Sequence, residues 1–272
     1  KEGDESALPG ASLDIAKMPG HWLLARLGKR VLRPGGLETT HALLEALNIT
    51  RKDNVVELAP GLGSTARLIF AHGPQSYVGL ERDESAAAFT RRHLNEFKDA
   101  DVLVGTADDS GLDSESASVV VGEAMLTMNT HPQKEKIVGE AFRILEPGGR
   151  YGIHELCFVP DTISQARQDE INAELSSSIH VGARPLSSTH WRELMEEAGF
   201  TVVAERTAPM HLLRPKRLIE DEGVLGALRI AKNIALNPAA RKRVMAMRRV
   251  FDKYQDHIAA IHIVGSKTQR EK

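Results

Sequence analysis

The chain has 272 residues, 42% hydrophobic and 26% charged, with a formal net charge of −2. That length suits one large domain or a domain with an elaborated cap, and the near-neutral balance argues against a nucleic-acid protein held by phosphate attraction. No apolar run reaches the length of a membrane span, and a single cysteine, Cys157, argues against an intrachain disulfide and against cysteine-based metal sites.

The polar opening Lys1-Glu2-Gly3-Asp4-Glu5 reads as a frayed start with no signal peptide, and opening on Lys rather than Met is expected to reflect missing native sequence. Residues 1–36 read as an extension in which His21-Trp22-Leu23-Leu24 forms a lid, with Trp22 closing over substrate. From residue 37 helices and strands alternate. Helix candidates lie at 37–47, 64–71, 84–97 and 133–145, the last with Ile137, Val138, Ala141 and Ile144 on one face. Strand candidates lie at 54–58, 76–81, 101–106, 117–123 and 150–158, each a short apolar or β-branched run bounded by Gly, Pro, Asp or Ser. This repetition predicts an α/β fold, a doubly wound and mostly parallel sheet with ligands over the carboxyl ends of its strands.

After residue 158 the pattern changes. A polar helix is expected over 161–178, a loop from His180 to Pro185, a helix over 188–198 and a strand over 201–206. A helical cap over 213–254, broken at Asn237-Pro238, precedes a final strand at 258–264, and residues 267–272 read as a tail. The main domain would thus combine 37–212 with 255–266.

Glu57-Leu58-Ala59-Pro60-Gly61-Leu62-Gly63 runs straight on from Asn54-Val55-Val56. Gly61 and Gly63 carry no Cβ, so the backbone there can pass close under a ligand, and the next helix turns its free N–H groups towards it. A carboxylate at the strand end suits a ligand with a cationic amino group. Gly61-x-Gly63-x-x-Ala66 also fits the dinucleotide fingerprint, with Glu81 about where that fold places its ribose-binding acid. Taken alone, the loop leaves both ligands open.

Four further features fall at compatible distances: Glu81 ending the second strand, Gly105-Thr106-Ala107-Asp108 after the third, Gly122-Glu123 ending the fourth, and the Leu145-Glu146-Pro147-Gly148-Gly149-Arg150 turn feeding the fifth. With these, residues 37–158 resemble the class I S-adenosylmethionine-dependent methyltransferases, in particular the small-molecule branch, and the late strands resemble them loosely. The resemblance implies a seven-stranded sheet whose last strand is antiparallel, with S-adenosylmethionine as cofactor and S-adenosylhomocysteine as product. It implies that Glu57, Ala59, Gly61 and Gly63 cradle the methionine part. Glu81, beside Arg82, accepts from the ribose hydroxyls; Thr106, Ala107 and Asp108 lie at the adenine, and Glu123 at the wall by the sulfonium. Two positions depart from the family pattern. Ala59 replaces the first glycine, which is harmless if its φ is negative. Thr106 stands where aspartate is common, and Asp108 is the alternative adenine contact.

Glu57 would oppose a pyrophosphate, and the Pro147-Gly148-Gly149 turn has no dinucleotide-binding role, so the NAD(P)-dependent oxidoreductase is the weaker reading. A non-catalytic module binding an adenosyl ligand is the other. The expected reaction is in-line methyl transfer to a small, partly apolar molecule, accelerated mainly by positioning. His154, Glu155 and His180 are candidate catalytic residues, with His154 suited by its intrinsic pKa to act as a base. Trp22, Met125 and His211 are candidate substrate contacts, and no metal ligands are assigned. Arg241, Lys242, Arg243, Arg248 and Arg249 read as a solvated basic helix face. A cytoplasmic protein is expected, without nucleic acid or stable membrane insertion, and a homodimer is a candidate assembly.

Overall fold

The structure is a computed structural model that describes Leu8 and residues 13–268; the frayed start expected at 1–5 and residues 269–272 lie outside the described residues. The first half alternates as its sequence pattern predicts: α2 (Gly36–Leu47), β1 (Asn54–Leu58), α3 (Ser64–Ala71), β2 (Ser76–Glu81), α4 (Glu84–Leu94), β3 (Ala100–Val104), β4 (Ala117–Glu123), α5 (His131–Ile144) and β5 (Leu145–Phe158), preceded by α1 (Gly20–Arg26). Local chemistry sets several ends. Asp83 accepts from Ala86 N to start α4, and Thr130 with Gln133 forms a capping box at α5. The expected helix over 84–97 stops at Leu94, and Phe97 instead stacks on Phe70 with ring centroids 3.9 Å apart.

The second half comprises α6 (Gln165–Ile179), β6 (Leu186–Ser187), α7 (Ser188–Glu197), β7 (Phe200–Pro209), α8 (Pro215–Leu236), α9 (Pro238–Lys253) and β8 (Ile258–Lys267). The polar helix begins later than expected because Ser164, not residue 161, accepts from Arg167 N as its cap. Asn237 ends α8 and caps α9 by accepting from Ala240 N, so the predicted break at Asn237-Pro238 is a helix boundary. A further kink inside α8, at Gly223 with φ 71°, has no counterpart in the sequence reading.

The main sheet runs β3-β2-β1-β4-β5-β8-β7, with the two-residue β6 pairing beside the end of β5. Pairings from β3 to β5 are parallel, whereas β8 is antiparallel to both β5 and β7. The chain thus winds outward from β1 to β3, then crosses to β4, which makes the carboxyl ends of β1 and β4 the switch point where such sheets hold ligands. The Glu146–Gly149 segment is looped out between the pairs Ala117–Leu145 and Val119–Arg150, so the predicted turn lies inside β5 rather than before it.

Apolar side chains cover both faces. Ile137, Val138, Ala141 and Ile144 of α5 join Trp191, Leu194 and Met195 of α7 over one face, and α2, α3 and α4 pack on the other through Leu43, Leu47, Ala66, Ile69 and Leu94. A separate cluster joins Met18, Leu23, Leu24 and Leu27 to Leu213, Ala240, Val244 and Met247. The N-terminal arm and the helical cap, distant in sequence, therefore share one apolar core. Among the described residues no helix is long and apolar enough to cross a membrane.

Candidate active site

Each expected ligand-binding side chain on the sheet is aimed by its strand. Glu57, the fourth residue of β1, is buried between neighbouring strands, where Tyr77 donates its hydroxyl to Glu57 Oε2 at 2.7 Å. Burial pushes the Glu57 carboxyl up to about 8, against the Tyr77 hydrogen bond and the Arg33 charge, which pull it down. The chain then turns through Gly61 (φ 56°) and Gly63 (φ 70°), backbone conformations that suit glycine. Gly61 N donates to Glu81 Oε2 at 3.2 Å and Asp83 N donates to Glu81 Oε1 at 3.1 Å, which fixes this carboxylate at the lip of the loop. Burial raises the Glu81 pKa, partly offset by these amides.

Glu123 closes the other side of the switch point. Arg33 Nη1 donates to its Oε2 at 2.8 Å, Thr65 donates to the same oxygen, and Thr40 Oγ1 donates to Oε1 at 2.7 Å. His154 Nδ1 lies 2.7 Å from Glu123 Oε1, and its Nε2 faces the carbonyl of Pro34. Burial works to raise the Glu123 pKa, but Arg33 and then His154 outweigh it and hold the group down to about 2. Glu57, Glu81, Glu123 and Arg33 thus form one electrostatic cluster around the glycine loop.

A strap from the cap secures the segment that carries Arg33. Glu222 Oε1 accepts from Arg30 N and Val31 N at 2.8 and 2.9 Å, and Asp221 Oδ1 accepts from Leu37 N at 3.0 Å. Lys29, fully buried, lies 3.3 Å from Asp221 and 3.5 Å from Glu222. The Arg33-Pro34-Gly35-Gly36 turn admits no larger residue at its end: a Cβ on Gly36 would fall 2.3 Å from Asp221 Oδ1.

Several expectations change against this geometry. Ala59 has φ 54°, not a negative value, so the residue in place of the family's glycine adopts the left-handed region that a Cβ disfavours. His154 is fully buried, with both ring nitrogens taken up by Glu123 Oε1 and the Pro34 carbonyl, so neither is open to a substrate. Glu155 is spent on structure. Its two oxygens accept from the backbone N–H groups of Met125, Leu126 and Thr127 and from the Thr127 hydroxyl, at 2.7 to 3.0 Å. His180 is an exposed left-handed residue closing α6. His211 lines a cleft with Arg248, Phe251 and Gln255 that includes none of Glu57, Glu81 or Glu123, so nothing ties it to the expected substrate position. Met125 is buried in the core beside β4, its amide held by Glu155.

The arm does lie over the loop. Trp22 packs against a cluster of Leu8, Ala25, Leu62 and Phe89, and Leu62 sits between the two loop glycines. Its neighbour His21 is held down to about 4 by burial and by the charge of Arg82. Thr106 and Asp108 are exposed after β3, with Ala107 half-buried between them. Within the basic stretch of α9, Arg243 departs from a solvated role: Nη1 donates to the carbonyl of Ile15 at 2.7 Å and that of Met18 at 2.5 Å, tying the cap to the arm. A groove of ≈ 640 Å³ opens elsewhere, between α5, α6 and α7, and none of the expected site residues lines it.

Sequence reasoning missed Arg33, Thr40, Thr65 and Tyr77, as well as the Lys29–Asp221–Glu222 strap. The Arg-Pro-Gly-Gly turn at 33–36, which repeats the Pro-Gly-Gly of 147–149, was the available signal. Among the described residues no group of three or more His, Cys, Asp or Glu side chains is placed to hold a metal ion.

Comparison with known proteins points to a methyltransferase domain. A family model described as a methyltransferase domain matches residues 55–149, the stretch from β1 to the looped segment of β5. An uncharacterized protein of Haemophilus influenzae is 31% identical over 254 residues, covering 92% of this chain and 98% of its own. The methyltransferase phqN of Penicillium fellutanum is 25% identical over 214 residues, which span 74% of this chain and 63% of that protein. The fold also matches phosphoethanolamine N-methyltransferase 2 of Haemonchus contortus, solved with S-adenosyl-L-methionine, at a TM-score of 0.70 and 16% identity; the match covers 92% of this chain and 57% of that one.

Proposed function

Residues 55–149 match the methyltransferase-domain family, and we propose that this chain, as a class I S-adenosylmethionine-dependent methyltransferase, methylates a small, partly apolar molecule by in-line displacement. S-adenosylmethionine, when bound, supplies an electrophilic methyl group on a sulfonium. The observation that carries the reading is the cluster of Glu57, Glu81, Glu123 and Arg33 around a left-handed glycine loop at the switch point. These residues fit the cofactor: Glu81 keeps lone pairs for the ribose hydroxyls beyond its two backbone donors, and Glu57 offers a carboxyl for an ammonium.

The protein's part is to orient the reactants and exclude water. The arm, through Trp22, and the Arg33 segment would cover the loop while the cap keeps them in register. With His154 and Glu155 engaged elsewhere, an acceptor that brings its own lone pair needs no base from this chain. A cytoplasmic location remains part of this reading, since a buried free Cys157, its thiol pushed up to about 12 by burial, suits a reducing compartment.

The direct test is a thermal shift with S-adenosylhomocysteine, alongside NAD and NADP as controls, followed by a search for methylated product across a metabolite pool. Stabilisation by S-adenosylhomocysteine alone is expected, whereas a shift with a nicotinamide cofactor only would reverse the reading. Glu81→Ala should weaken S-adenosylhomocysteine binding by roughly 1–3 kcal/mol, measured by calorimetry.

A further inference from the structure

Arg33 uses only one of its three side-chain nitrogens, Nη1, within the fold. Its side chain is buried, with 6% relative exposure for the residue. Nη1 donates to Glu123 and Thr65, yet Nε and Nη2 have no hydrogen-bond partner. Those two nitrogens form the side edge of the guanidinium fork, whose parallel N–H groups match the two oxygens of a carboxylate. Buried donors left this way cost free energy, which argues for a partner that arrives with a ligand.

The neighbourhood places the guanidinium beside the glycine loop, through the contacts of Nη1. Thr65 is in the first turn of α3, directly after Gly63, and Glu123 ends β4 across the switch point. The protein's other nearby acids are already engaged, Glu57 by Tyr77 and Glu81 by the amides of Gly61 and Asp83. The guanidinium is also held in place from behind. Arg30 and Val31 are fixed by Glu222, and Gly35 N donates to the Met210 carbonyl at 2.9 Å. Such anchoring reduces the ordering cost on binding.

We propose that the Nε–Nη2 edge of Arg33 receives the α-carboxylate of the cofactor's amino-acid arm, an inference that rests on the methyltransferase reading above. Glu57 would then meet the ammonium of the same arm, so the two ends of one zwitterion are read by an acid on β1 and a base from the N-terminal extension. A carboxylate on the methyl acceptor is the other source of the same chemistry, and the experiment separates the two.

Calorimetric titration of the full chain would use S-adenosylhomocysteine, its α-carboxyl methyl ester, and 5′-methylthioadenosine, which lacks the amino-acid arm. The unmodified protein should bind the acid roughly 10–100-fold tighter than the ester. Arg33→Met should erase that preference while leaving methylthioadenosine affinity within about twofold. Arg33→Lys, which keeps the charge but not the fork, should retain part of the preference, and it serves if the Met variant fails to fold. Equal binding of acid and ester by the unmodified protein overturns the proposal, as does full preference retained in either variant. If neither S-adenosylhomocysteine nor methylthioadenosine binds the unmodified protein, the cofactor reading itself fails, which is a distinct result.

Discussion

Two residues of the first loop carry strain or charge that a measurement can reach. Ala59 holds φ 54° where its Cβ crowds the backbone, so Ala59→Gly should stabilise the chain by about 1 kcal/mol in urea denaturation. The gain is moderated because glycine also widens the unfolded ensemble. An unchanged or lowered stability would show that the left-handed geometry costs nothing here. Glu57 acts through pH. Its folded value near 8 lies above the ordinary 4.5, so between those limits the folded chain keeps a proton that the unfolded chain releases. Stability from this group therefore falls as pH climbs from about 4.5 to about 8, and Glu57→Gln should flatten that decline in melting temperature. Glu123 has the opposite sign: its lowered value contributes stability that is lost as pH falls from about 4.5 towards about 2.

Elements were more legible than the bonds between them. The bounds of β1, β2, β4 and α3 follow directly from apolar runs punctuated by Gly, Asp and Ser, because there local pattern and tertiary packing agree. The glycine loop and Glu81 were legible for the same reason, each set by its own strand end. Arg33 was not, since its partners Thr65 and Glu123 lie 32 and 90 residues away and no periodicity records such a meeting. Glu155 shows the converse error: a carboxylate at a strand end suggested chemistry, but its geometry folds the turn of Leu126–Met128 around itself. Glu155→Ala would strand three buried amides and one hydroxyl, and should cost about 3–5 kcal/mol in urea denaturation. A loss below about 1 kcal/mol would mean that water or a shifted turn satisfies those donors.

Across the whole molecule, the arm and the cap pack together as one cover. They share an apolar core, Arg243 bonds to the arm's carbonyls, and Asp221 with Glu222 reaches down to residues 29–37. The kink at Gly223 falls immediately after that acidic pair, so the cap's first turns are aimed at the arm independently of the rest of α8. Lys29 makes this arrangement readable by a protease. Its side chain is fully shielded, so trypsin can cut after it only when the cover lifts from the sheet. S-adenosylhomocysteine, by adding contacts beneath the cover, should slow the release of the fragment ending at Lys29 by roughly tenfold or more at saturation. An undiminished digestion rate would mean that ligands come and go without the arm's consent.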